Sequence, residues 1–155
     1  MSTNEKLSHN ELVERAVKWL YSQGCGFAVG ERVCTVSTGE IPDAIGFRSN
    51  CSILVECKTS RADFKADRKK KFRFDEPKLG MGNFRFYLCE KDVISPLEIP
   101  SGWGLLYIQG KQIIKVISPQ GNAWGKHSKT HKIFWQEKNV EAENSLLYSC
   151  LRRMR

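Results

Sequence analysis

The chain has 155 residues, 41% of them hydrophobic, which excludes a mainly disordered chain and reads as one domain over residues 1–155. No apolar run approaches the roughly 20 residues needed to cross a bilayer, and the N-terminus lacks the charged-then-apolar pattern of a secretory signal, so the expectation is a cytoplasmic protein with no membrane partner. Lys and Arg number 25 against 17 Asp and Glu, and the resulting formal charge of +8 favours a polyanionic partner, nucleic acid first.

In chain order, Ser8-x-x-Glu11 reads as a capping box, and Leu12, Val13, Ala16, Val17 and Leu20 recur at helical period. The expectation is a helix over about residues 9–22, ended by Gly24 and Gly26, with Glu11 and Glu14 on its polar flank. Phe27 to Val36 reads as a strand, with a break near Gly30-Glu31. Pro42 has no N–H to give a ladder and belongs at the start of the next strand, which leaves Asp43 near a sheet end where a ligand can approach. Glu40 lies just outside, either a ligand through water or plain loop.

From Ile53 to Lys58 the apolar Ile53, Val55 and Cys57 alternate with Leu54, Glu56 and Lys58, so Glu56 and Lys58 share a face. Ser49-Asn50 is turn chemistry, and an antiparallel hairpin across it brings Asp43 opposite the far end of the second strand. Two carboxylates and an ammonium then converge. Hard oxygen ligands of this kind suit a divalent cation, which can bind a phosphate oxygen and acidify a water. Asp43, Glu56 and the backbone carbonyl of Cys57 are the expected ligands of Mg²⁺ or Mn²⁺, and Lys58 is expected to orient the water or offset charge in the transition state.

Ser60-x-x-Asp63 opens a second helix, on which Phe64 and Phe72 dock one face while the cations within Arg68 to Arg73 stay outside. Leaving directly from the acidic strand, this helix is expected to hold a phosphate backbone through Arg61, Arg68, Lys69, Lys70, Lys71 and Arg73. Gly80-Met81-Gly82-Asn83 reads as a flexible turn, and Phe84 to Cys89 as a buried strand that a right-handed crossover places parallel to the Glu56 strand. Trp103 to Ile108 and Gln112 to Ile117 form a hairpin around Gln109-Gly110-Lys111. Trp103 and Trp124 read better as core or rim than as stacking platforms for bases. Lys126, His127, Lys129, His131 and Lys132 form a basic loop, and residues from about Asn139 to Arg155 a helix with an apolar stripe of Val140, Leu146, Leu147, Cys150 and Leu151. The six cysteines lack metal-ligand spacing and read as buried thiols.

Pro42-Asp43 followed by Glu56-Cys57-Lys58 resembles the two halves of the motif of the PD-(D/E)xK nuclease superfamily. The run Glu56-Cys57-Lys58-x-Ser60-Arg61-Ala62-Asp63-Phe64-x-x-Asp67-Arg68-Lys69, with Gly39 to Asp43, looks like small stand-alone bacterial and phage members of it, over about the first two thirds of the chain. The resemblance implies an α/β fold with a restriction-endonuclease-like αβββαβ core, its central mixed sheet flanked by helices, to which the C-terminal hairpin and helix are added. It also implies that a first-helix acid, here Glu14, joins the metal site, although a solvated helix face is the plainer account of Glu14. The expected function is that of a metal-dependent DNA endonuclease. The alternative is a non-catalytic nucleic-acid-binding module on the same fold, and a homodimer stays open.

Overall fold

The computed structural model describes residues 5–31, 41–70, 75–121, 124–125 and 132–155. Helix α1 runs His9–Ser22, with the Ser8 hydroxyl accepting from the Glu11 N–H at 3.2 Å. It stops where Gly24 takes φ 87°, a left-handed conformation that glycine adopts without a Cβ clash. Six strands follow: β1 (Phe27–Gly30), β2 (Ala44–Phe47), β3 (Ser52–Cys57), β4 (Phe84–Glu90), β5 (Trp103–Gln109) and β6 (Gln112–Ile117). Helix α2 (Arg61–Asp67) lies between β3 and β4, and α3 (Val140–Arg153) closes the order.

The strands form one mixed sheet in the order β1-β2-β3-β4-β5-β6. The β1/β2, β2/β3 and β5/β6 pairs are antiparallel, and β3/β4 and β4/β5 are parallel. In the β5–β6 hairpin Gly110 supplies the positive φ of 62° that a tight two-residue connection requires.

Strand alternation splits the core into two halves. Ile53, Val55, Cys57, Phe84, Phe86 and Leu88 face α1, meeting Leu12, Ala16, Trp19 and Leu20. Leu54, Tyr87, Cys89, Trp103 and Leu105 face the other way, toward Phe64 of α2 and Ala142, Leu146 and Cys150 of α3. Helix α1 approaches the sheet closely because residues 30 and 46 are glycines. A Cβ at Gly30 would lie 2.7 Å from Val13 Cγ1, and one at Gly46 would lie 2.7 Å from Cys25 Sγ.

Strand β1 ends at Gly30, at the expected break, and the remainder of the 27–36 stretch, apart from Glu31, lies outside the described residues. Other sequence expectations change. Helix α2 ends at Asp67, so Arg68, Lys69 and Lys70 are exposed in the turn beyond it, while Lys71, Phe72 and Arg73 lie outside the described residues. On α3 the inward stripe is Ala142, Glu143, Leu146 and Cys150, whereas Val140 and Leu151 face solvent. Leu146 and Cys150 alone of the expected stripe are buried, because the docked face runs through Ala142, Leu146 and Cys150.

Nor is the Gly80-Met81-Gly82-Asn83 segment a flexible turn. Met81 is buried, the Gly82 N–H donates to Glu143 Oε2 at 2.8 Å, and the Ser52 N–H donates to Asn83 Oδ1 at 3.0 Å. Buried Arg85 donates to the carbonyls of Gly82, Pro77, Gly80 and Glu137 at 2.8–3.2 Å. These bonds satisfy backbone acceptors that a buried non-helical segment would otherwise leave unpaired. Trp103 and Trp124 are buried, which makes them core, and the five described cysteines (25, 51, 57, 89, 150) are free and buried. Burial pushes the Cys25 and Cys89 thiols up to about 11, so both stay protonated.

Candidate metal and phosphodiester site

The ladder between β2 and β3 pairs Ala44 with Val55 and Ile45 with Leu54, so the next step places Asp43 opposite Glu56. Ile45 and Leu54 belong to the α2/α3 half of the core, and by alternation Asp43 and Glu56 project to that same face. Asp43 Oδ2 accepts from the Cys57 N–H at 2.8 Å. Asp43 is 8% and Glu56 1% exposed.

The N–H and C=O of a residue in extended backbone project to the same side of the strand. Cys57 turns its N–H toward Asp43, so its carbonyl faces the β2 side as well, opposite Pro42, which has no N–H to give it. The Cys57 thiol points to the opposite face, against α1, and burial holds it well above its ordinary pKa. Only the backbone of Cys57 therefore reaches the acidic cluster.

Helix α1 contributes His9, not Glu14. His9 Nε2 lies 2.9 Å from Glu31 Oε1 and 3.5 Å from Asp43 Oδ1, and one ligand atom from each of His9, Glu31 and Asp43 falls within 4.8 Å of the others. Glu14 is exposed and outside this cluster, because the helical turn after His9 carries it away from the sheet end. Glu40 lies outside the described residues, as do His127 and His131. The donor set within mutual reach is one imidazole and two carboxyl groups, with Glu56 across the β2/β3 ladder from Asp43 and the Cys57 backbone beside it, which suits a divalent cation of the Mg²⁺/Mn²⁺ kind. The side chains of His9 and Glu31 are 36% and 30% exposed while Asp43, Glu56 and Lys58 are buried, so the opening to solvent is on the His9 side.

Lys58 lies 4.0 Å from Glu56 Oε2 and 3.2 Å from Asp67 Oδ1. Burial depresses the ammonium pKa, but Glu56, Asp67, Asp43 and Asp63 together outweigh it and the net shift is upward, so Lys58 stays charged. For Asp43 burial is the largest effect and raises its pKa, against the Cys57 N–H, Glu56, His9 and Lys58, which lower it. Asp67 also accepts from the Tyr87 hydroxyl at 2.8 Å and pairs with Lys70 at 3.3 Å. Arg61, an expected backbone contact, is exposed and paired with Glu98.

Glu31, His9 and Asp67 were not singled out in the sequence. Extending the β1/β2 register by one residue puts Glu31 across from Asp43, and the Glu31 N–H donates to the Asp43 carbonyl at 3.0 Å, so the strand register reveals it. Asp67 follows the buried Phe64 by three residues and shares its inward face, a readable signal. Nothing in the sequence marks His9, whose position depends on how α1 docks.

No family model and no curated protein matches the chain. A solved structure described as SPO1766 protein of unknown function from Silicibacter pomeroyi is similar to it, with a TM-score of 0.64 at 19% identity over 97% of this chain and 88% of that one. At that identity the likeness concerns the fold alone. No helix among the described residues is long and apolar enough to cross a membrane.

Proposed function

We propose that the chain is a metal-dependent nuclease that hydrolyses phosphodiester bonds, DNA first among its substrates, on a restriction-endonuclease-like core of the PD-(D/E)xK type. The observation that carries this reading is the cluster of His9, Glu31 and Asp43 ligand atoms within 4.8 Å of one another, with buried Glu56 across the β2/β3 ladder from Asp43 and Lys58 4.0 Å from Glu56. Asp43, Glu56, the Cys57 carbonyl, His9 and Glu31 would hold the cation. When bound, a divalent ion supplies positive charge to the scissile phosphate and lowers the pKa of the attacking water.

The remaining work falls to the chain's own groups. The Cys57 N–H fixes the Asp43 carboxylate, so its orientation does not have to be found during the reaction. Lys58, already charged and held, offsets negative charge on the phosphoryl oxygens or orients the water. Exposed Arg68, Lys69 and Lys70 supply sequence-independent attraction for the backbone of the nucleic acid.

The test is incubation with a panel of linear and branched DNAs and RNAs in Mg²⁺, Mn²⁺ or EDTA. Cleavage that needs the metal and is lost in Asp43→Asn and Glu56→Gln, with binding retained, is the expected result. Lys58→Ala should lower the rate by roughly 10²–10³-fold. Full cleavage by any of the three variants breaks the assignment, and wild-type binding without cleavage under every metal favours the non-catalytic module. His9→Ala should weaken Mn²⁺ more than Mg²⁺ in direct titration, since imidazole suits transition metals better than it suits Mg²⁺.

A further inference from the structure

Asp67 is a carboxylate 1% exposed that the cation site does not use. It closes α2, and its two oxygens are divided between functions: Oδ2 accepts from the Tyr87 hydroxyl at 2.8 Å, and Oδ1 faces Lys58 at 3.2 Å and Lys70 at 3.3 Å. Tyr87 stands beside Glu56 in the β3/β4 register and is itself fixed, stacked on Trp103 at 4.5 Å and edge-on to Phe64 at 4.9 Å. The carboxylate is therefore held on a rigid ring, and it approaches Lys58 more closely than Glu56 does.

We infer that Asp67 is the positioning residue of Lys58, locating the ammonium beside Glu56 through an ion pair with a carboxylate that Tyr87 orients. The inference rests on the nuclease reading for its consequence in catalysis, although the bond itself can be measured without it. An unbranched lysine side chain has four rotatable torsions and cannot hold its head in place by packing alone, so a fixed anion on the side away from the substrate is what defines its position. Misplacement of a reacting group by about 1 Å costs on the order of 10²-fold in rate. Lys70 adds a link to substrate binding. Half exposed and on the same oxygen as Lys58, it is the cation that a phosphate backbone can draw away, which leaves Asp67 Oδ1 to Lys58 alone.

The experiment compares Asp67→Asn and Tyr87→Phe in the wild-type chain and in the Lys58→Ala chain. The substrate is the one from the panel that the wild type cuts, and thermal melts verify folding. The expected result for Asp67→Asn is a fall in kcat of roughly 10²-fold with KM nearly unchanged. Tyr87→Phe should give a smaller fall in the same direction, and neither change should cost anything further once Lys58 is Ala. Equal losses with and without Lys58, or an unchanged kcat in Asp67→Asn, would overturn the inference. A second readout does not need activity. The Lys58 ammonium signal in ¹H–¹⁵N NMR should be sharp in the wild type and in Lys70→Ala, and lost or moved in Asp67→Asn. An unmoved signal in Asp67→Asn would overturn the bond even if no substrate is cut, and a wild type that cuts nothing but shows the moved signal would count against the nuclease reading alone.

Discussion

At the scale of single residues, the acidic cluster stands against the fold that carries it. Asp43 occupies a position where burial raises its pKa above the ordinary 3.8. Below 3.8 the carboxyl is neutral whether the chain is folded or not, and the site costs nothing. As the pH rises through the folded value, the folded chain must ionise a buried group, and stability is lost and stays lost above it. Asp43→Asn, neutral at every pH and still able to accept from the Cys57 N–H, should therefore melt higher than the wild type in EDTA at about pH 8, with the gap closing toward acid. Each kcal/mol recovered corresponds to about 2–4 °C for a chain of this size. A variant less stable than the wild type throughout that range would mean that the carboxylate is stabilised in place and not strained. The residues that broke the hydrophobic alternation of β3, Glu56 above all, were legible because an acid on a doubly buried strand has no structural reason to be there. Glu31 was hidden because its place depends on the β1/β2 register, and His9 by its dependence on tertiary docking.

At the scale of elements, the caps carried most of the information. Ser8 and Ser60 each accept from the N–H three residues on, and α1 and α2 begin where those serines say. Where α2 ends was not legible, because Arg68, Lys69 and Lys70 are good helix formers and their departure from the helix follows Asp67 being drawn inward to Lys58 and Tyr87. A seven-residue helix does not persist alone in water, so α2 exists by virtue of buried Phe64 and Asp67. The exposed turn after it is then a tethered cationic surface beside the acidic cluster. Replacing Lys69, Lys70 and Lys71 by Ala should weaken nucleic-acid binding and reduce the slope of log K against log salt by roughly 2–3 on duplex DNA. Unchanged affinity and slope in filter-binding or anisotropy titrations would place the backbone contacts elsewhere. The α3 stripe was misjudged for a related reason, since a helix with apolar residues around much of its circumference does not say which side docks until its neighbour is known.

At the scale of the whole molecule, the sheet is clothed on both faces, by α1 on one side and by α2 and α3 on the other, and the acidic cluster sits at one end of the seam between β2 and β3. The opposite end of β3 is tied differently. Glu143 of α3 accepts from the Ser52 hydroxyl, the Gly82 N–H and Lys138, each at 2.8 Å, while the Gln136 and Asn139 N–H groups donate to the Asn83 and Gly80 carbonyls at 2.7 and 2.9 Å. Arg85, in the middle strand of the parallel set, spends one of its bonds on the Glu137 carbonyl. A chain cut before Gln136 should lose the cooperative thermal transition seen by circular dichroism, because it exposes the α3-facing core and strips partners from buried Ser52, Gly82 and Arg85. A sharp transition in that fragment would show that the C-terminal segment is an addition and not a closure. During synthesis, the central strands leave the ribosome well before the residues that satisfy them. The nascent chain must therefore wait, unfinished and with a buried-type arginine exposed, until residues 136–143 emerge, which ties the maturation of the acidic cluster at one end of β3 to the arrival of the segment that locks the other.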